Sequence, residues 1–453
     1  MTNLITYLKR SPSIVVIIVF VIACVWVNGN VAKWNKKSVI DWDVTSYYSY
    51  LPAYFLKHDL TLKFFDENPE FYRQNKQYNP QQCPNGNYVI KTSMGMAVMY
   101  LPFFAVAHVA AKIFGYADDG YSEPYQFMIQ FSGLFYLLIG LFFLRRLLLL
   151  YYSEKVVAVT FFCLLFGSNL FYYASVLGAM SHAHTFCLAS VFVWYGIKWL
   201  KKADLKTSIV LGLIFGLIIL IRPVNILLIF FLVLFGVTSL DQFGKRLFMF
   251  LQRIKFVILI SALVVLVFLP QLLYWKYITG HYFFNSYIGE QFYFGNPHLM
   301  EGLFGFRKGW LLYSPIMIFS LIGMVMMFKA RKEFSFPVTI LFLVYTYVIL
   351  SWWCWWYGGS YGLRAMIDIY PFLIMGMAVF INKMILNKAV ISVLGILVVI
   401  NCFQMYQYRR GVIHFDSMTK EAYIDGLFRV ETSPDLQKLI SPPDYEKARK
   451  GVA

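Results

Sequence analysis

Two carboxylates and a set of cations carry whatever chemistry this chain does. Asp41-Trp42-Asp43 follows closely on the first apolar stretch, with Tyr47, Tyr48 and Tyr50 just beyond. A carboxylate at a partly desolvated interface is a better base than one in water, so the pair fits a general base or a metal site. It equally fits solvated loop acids inside an aromatic belt. His182 and His184 lie at i and i+2, on different faces of any intact helix. They read as poor partners for one metal, or as helix-end histidines. Arg222-Pro223 interrupts an apolar run from 207 to 239. A charge beside a membrane span is costly and reads as functional, or as a turn with a snorkelling arginine. Arg307-Lys308 sits among Gly302, Gly305 and Gly309, and Arg364 closes Gly358-Gly359-Ser360-Tyr361-Gly362-Leu363. Together these make an inventory suited to transfer from a phosphate leaving group. Cations stabilise the departing charge, and a carboxylate deprotonates the acceptor.

The elements that must position these residues are apolar. Runs near 13–28, 125–144, 156–175, 185–200, 207–221, 224–239, 256–275, 311–328, 334–351, 366–382 and 388–405 predict eleven transmembrane helices. Lys9 and Arg10 before the first run suggest a retained signal anchor with its N-terminus inside. A twelfth run, 93–114, is apolar enough to cross, but charge argues against it. With it kept outside, Arg145, Arg146, Lys201, Lys202, Arg253, Lys255, Arg331, Lys332 and Lys388 all face the N-terminal side, as the positive-inside rule requires. The run therefore predicts a juxtamembrane helix, bent at Pro102, in a long first outer loop, 29–124. A second outer loop spans 277–310, a short third one 352–365, and an outer tail 406–453. The membrane-embedded body is then 1–405. Trp352, Trp353, Trp355 and Trp356 predict an interfacial belt. With Tyr287, Phe292 and Tyr293 they also offer a groove for a lipid chain.

Composition excludes a soluble class. Hydrophobic residues make up 59% of the 453 and charged residues 14%, against about 25% charged in soluble domains. The net charge of +17 is spread over the ends of apolar runs, which excludes a nucleic-acid partner and fits membrane lipids. The six cysteines show no metal-ligand spacing.

In order and position these motifs resemble the GT-C superfamily of membrane glycosyltransferases, and are similar to protein O-mannosyltransferases and lipid A aminoarabinose transferases. The resemblance covers roughly residues 10–405. It rests on Asp41 and Asp43, on Lys91, Gly95 and Pro102, and on Ser181-His182 and Arg222-Pro223. Gly309 with Ser314-Pro315, and the segment from Gly358 to Arg364, complete it. It implies an all-α polytopic fold, a polyprenyl-phosphate sugar donor, and a glycan, lipid or protein acceptor on the outer face, usually with inversion. It also implies Asp43 as base with Asp41 in support. Lys91, Arg222 and Arg364 fall where donor phosphate or acceptor is held, and the residues themselves add Arg307, Lys308 and His182 to the substrate-binding candidates. No Asp-Glu pair follows the first span, so a divalent cation is neither required nor excluded, and no other cofactor is implied.

Two rival classes use similar inventories. A lipid flippase or transporter needs midplane charges and often repeated halves, of which the sequence shows few and none. An O-antigen-type polymerase or ligase would consume diphosphate-linked glycans with the same outer arginines. The short loops point to a bacterial inner membrane with the reacting groups outside.

Overall fold

The computed structural model describes residues 10–452, so Lys9 lies outside the described residues. The protein is mostly helical. Among the described residues seven helices are long and apolar enough to cross a bilayer: Pro12–Val31, Gly95–Phe114, Glu123–Leu148, Ile254–Thr279, Lys332–Leu350, Arg364–Met384 and Lys388–Arg409. Shorter apolar helical segments cover Leu205–Ile221, Pro223–Leu234 and Pro315–Ala330.

Each of the eleven apolar runs overlaps helix, but the run 156–175 is broken at Ser168-Asn169, the run 224–239 leaves helix after Leu234, and three begin irregularly. Pro223–Leu228, Pro315–Met317 and Arg364–Ile369 are 3-10 turns that pass into the α-helices Ile229–Leu234, Ile318–Ala330 and Tyr370–Met384. Proline accounts for the first two, since its missing N–H and fixed φ suit a helix's opening turn. The irregular turns matter because Arg222, Arg364 and Asp368 project from two of them.

Burial sorts the bundle. Ser181–Lys201 and Tyr370–Met384 bury nearly every residue and form its centre. Pro12–Val31 buries only Ser13, Phe20 and Cys24 among its residues, and Ile254–Thr279 only Gln271, Tyr274 and Ile278. Both therefore lie at the periphery, with apolar side chains facing outward. Backbones meet closely at small residues, as is usual between apolar helices. A Cβ on Gly323 would lie 1.8 Å from the Gly376 carbonyl oxygen, and one on Gly133 2.0 Å from that of Gly178.

The first loop folds around the short helices Asp43–Tyr48 and Tyr50–Phe55. Gly95–Phe114 is a 20-residue helix containing Pro102. Just before it, Thr92 bonds Ser46 (2.8 Å) and accepts from the Tyr50 hydroxyl at its carbonyl (2.7 Å). Just after it, Gly120 accepts from the Tyr48 hydroxyl. Both flanks of this helix thus return to the same helical pair. It bonds Glu123–Leu148 at Tyr125, near its start, and at Tyr136, at its middle.

Two features depart from expectation. An amphipathic helix, Leu240–Gln252, with no buried residue, follows the run that was expected to end at 239. Ser239 caps it by accepting from the Gln242 N–H. The aromatic third loop is also not a simple belt: Trp353, Trp355 and Trp356 are buried. The tail covers them, with Tyr445 packed on Trp353 and Trp356 and Arg449 over the Trp353 ring.

Candidate functional site

Asp43 opens its helix directly after Trp42, which sits at φ 52°, ψ −126°. A non-glycine residue in this region carries strain of about 1–3 kcal/mol, held here by a hydrogen bond from the Trp42 N–H to the Lys76 carbonyl (3.0 Å). The reversed backbone separates the two acids. Asp43 Oδ2 accepts from Arg364 Nη2 at 2.8 Å, whereas Asp41 pairs with Lys76 at 3.5 Å. The two acids, expected to act together, thus have separate cationic partners. Burial raises the Asp41 carboxyl even though Lys76 and Lys33 oppose the shift. For Asp43, desolvation pushes the carboxyl up, but Arg364, then Lys91 and Arg222, outweigh it and hold the group below the ordinary carboxylate value.

Arg364 reaches Asp43 because the preceding loop turns sharply. Gly358 and Gly362 adopt left-handed φ values of 62° and 59°, which glycine reaches without Cβ strain. The glycines of the third loop therefore shape the chain and aim the arginine. Four residues later on the same 3-10 turn, Asp368 is buried and accepts from Thr185 (2.7 Å), Asn225 (3.1 Å), Tyr345 (3.3 Å) and Arg222 (3.3 Å). One six-residue turn thus supplies a cation to Asp43 and an anion to Arg222.

His182 stands beside this network. Its Nδ1 is 3.5 Å from Asp368 and its ring packs edge-on against Tyr173, yet neither ring nitrogen makes a hydrogen bond. His184 faces away, bonded to Ser132 and to the Met180 carbonyl, as the i, i+2 spacing requires. Arg364 Nε and Ser181 Oγ are also buried without partners. A wall of unpaired buried donors beside two arginines is costly unless an acceptor fills it.

Lys91 completes the cluster from the first loop. Its ammonium pairs with Glu290 at 2.5 Å and lies over the Tyr287 ring. Tyr287 packs on Trp352, and Phe292 packs on the same indole, so part of the expected aromatic groove adjoins Lys91.

Arg307 and Lys308 do not join the site. Arg307 donates to the carbonyls of Asp416 (2.8 Å) and Ser441 (3.1 Å). The Lys308 ammonium, fully buried, donates to the carbonyls of Ser360 and Phe415. Burial pushes that ammonium well below its usual value. Both residues tie the tail to the second and third loops, and their hydrogen bonds go to backbone carbonyls away from Asp43.

Sequence reasoning missed Asp368 and Glu290. Asp368 had a signal, being an acid inside an apolar run. Glu290 had none, because its role follows from Lys91, 199 positions away.

A divalent cation fits poorly at Asp43, which already pairs with Arg364 and feels the charges of Lys91 and Arg222, themselves paired with Glu290 and Asp368. Among the described residues no three His, Cys, Asp or Glu side chains group for a metal. Comparison with family models, curated proteins and solved structures finds no match.

Proposed function

We propose that this protein is a membrane glycosyltransferase that moves a sugar from a polyprenyl-phosphate donor to an acceptor hydroxyl on the outer face. The observation that carries this reading is a half-exposed carboxylate, Asp43, paired with Arg364 and within electrostatic reach of Lys91 and Arg222. In the proposed step the acceptor oxygen attacks the anomeric carbon while Asp43 takes its proton. The bond from that carbon to the phosphate oxygen breaks, and its electron pair leaves with the polyprenyl phosphate, inverting the centre. Phosphate leaves well without a general acid, so the cations have one task, which is to hold the charge that develops. Arg364 serves both partners. A phosphate drawn onto it weakens its grip on Asp43 and makes that carboxylate a stronger base.

The proposal includes the finer topology: eleven spans, an inside N-terminus, Gly95–Phe114 as a juxtamembrane helix, and a bacterial inner membrane with the site outside. Return of both flanks of that helix to one helical pair supports this arrangement. The test is transfer of radiolabelled sugar from polyprenyl-monophosphate donors by wild type and Asp43→Asn in matched detergent. Transfer that collapses in the variant is the expected result. Full transfer by folded Asp43→Asn would overturn the mechanism. Activity restricted to diphosphate-linked glycans would replace it with the polymerase or ligase reading. Solute or lipid translocation without transfer would replace it with the flippase reading.

A further inference from the structure

The helix Tyr370–Met384 starts beside Asp368 and ends at the opposite face of the bundle. Fifteen residues at 1.5 Å each separate the two ends by roughly 22 Å. At that far end three chain reversals meet: the turn after Glu123–Leu148, the junction at Arg331, and the end of Tyr370–Met384. They enclose a cavity of about 330 Å³ whose polar lining is Tyr152, Arg331, Asn382 and Lys383, with Met326 and Val379 among its apolar walls.

The polar groups are poised for an anion. The Tyr152 hydroxyl is buried, with the residue 9% exposed, and has no hydrogen-bond partner. A buried donor left unpaired is costly, so this hydroxyl points to a missing acceptor. Arg331 donates once, to the Tyr151 carbonyl at 3.3 Å, and its guanidinium lies over the Tyr151 and Tyr152 rings at 4.8 and 5.5 Å. Those contacts fix its plane, and although the guanidinium also leans toward the Tyr152 hydroxyl, most of its five donors stay open to a ligand. Lys383 adds a second cation at the exposed rim. One acid, Glu333, lies within electrostatic reach of Tyr152, leaving two cations against one carboxylate. Apolar walls beneath a cationic rim match a phosphate that carries hydrocarbon chains better than they match a free ion.

We propose that this cavity binds the phosphate headgroup of an anionic membrane lipid. The site is separate from Asp43 and stands whether or not the transferase reading holds. The test is native mass spectrometry of the full-length protein, released from detergent with phosphatidylglycerol or phosphatidylcholine of identical chains. Wild type is expected to retain phosphatidylglycerol several-fold better. Lys383→Ala, at an exposed position, is expected to reduce that retention about fivefold, the effect of one basic residue near a lipid phosphate. Tyr152→Phe, which removes only the hydroxyl, is expected to reduce it as well, and Asp43→Asn to leave it unchanged. Equal retention of the two lipids, or no change in Lys383→Ala and Tyr152→Phe, would overturn the proposal. Displacement of the lipid by glycerol phosphate at matched concentration would overturn its lipid specificity and assign the site to a soluble phosphate.

Discussion

Replacing Asp368 by asparagine is expected to destabilise the protein far more than the same change at Asp43. The Asp368 side chain is 1% exposed and accepts from four hydrogen-bonding side chains, one of them a guanidinium that is itself only 16% exposed. Asparagine keeps the shape but loses the charge, and its amide NH₂ must face donors. Breaking a buried ion pair from one side costs about 3–5 kcal/mol. Partial exposure of Arg222 relieves some of this, which places Asp368→Asn near ~3 kcal/mol. Asp43 is 49% exposed, and an exposed pair contributes about 0.2–1 kcal/mol. The gap between the two variants is therefore about 2 kcal/mol or more. Unfolding in mixed micelles, followed by tryptophan fluorescence, measures it directly. A difference below about 0.5 kcal/mol would refute the claim that Asp368 anchors the arginine network.

Other outcomes follow from the same geometry. Removing one charge-stabilising donor typically slows a reaction about 10²–10³-fold, so Arg364→Gln should lower transfer by at least ~10²-fold in the labelled-sugar assay. Asp43 has a folded-state pKa below its unfolded value near ~3.9. The stability its pairing adds is thus complete above about pH 5 and lost as pH falls through the lowered value. The wild type minus Asp43→Asn difference in unfolding midpoint, followed from pH 7 to 3, should shrink only at the acidic end. Lys308→Met strands the carbonyls of Ser360 and Phe415, at about 1–3 kcal/mol for each buried unpaired group. Limited proteolysis should then cut the tail beyond residue 410 faster than in wild type. Gly323→Ala places a Cβ 1.8 Å from the Gly376 carbonyl oxygen and forces two backbones apart. A loss of about 1–3 kcal/mol should show as a lower yield of monodisperse protein in size exclusion.

Much of the architecture was legible in the residues. Long apolar runs mark helices because an unpaired backbone group in hydrocarbon is prohibitive, and each expected run overlaps helix, though breaks such as Ser168-Asn169 escaped it. The amphipathic helix Leu240–Gln252 escaped notice because a search for uniformly apolar stretches passes over alternating faces. Asp43, Lys91, Arg222 and Arg364 were each marked by type and position, and the structure brings them together. Arg307 and Lys308 carried the same marks and serve instead as struts for the tail.

Hydropathy over about 20 residues is a property of consecutive positions, so the sequence by itself determined that this is a helical chain with several helices long and apolar enough to cross a membrane, and roughly where they run. Pairing is different. Arg364 meets Asp43 across 321 positions, Lys91 meets Glu290 across 199, and Arg222 meets Asp368 across 146. An arginine's type tells what it can bind, but a hydrogen bond forms only within about 3 Å and in the right direction. Which carboxylate, carbonyl or phosphate lies there is decided by the packing of helices far apart in the chain. Only the tertiary structure could therefore give Asp41 and Asp43 different partners, and separate the arginines of the site from the cations that hold the tail.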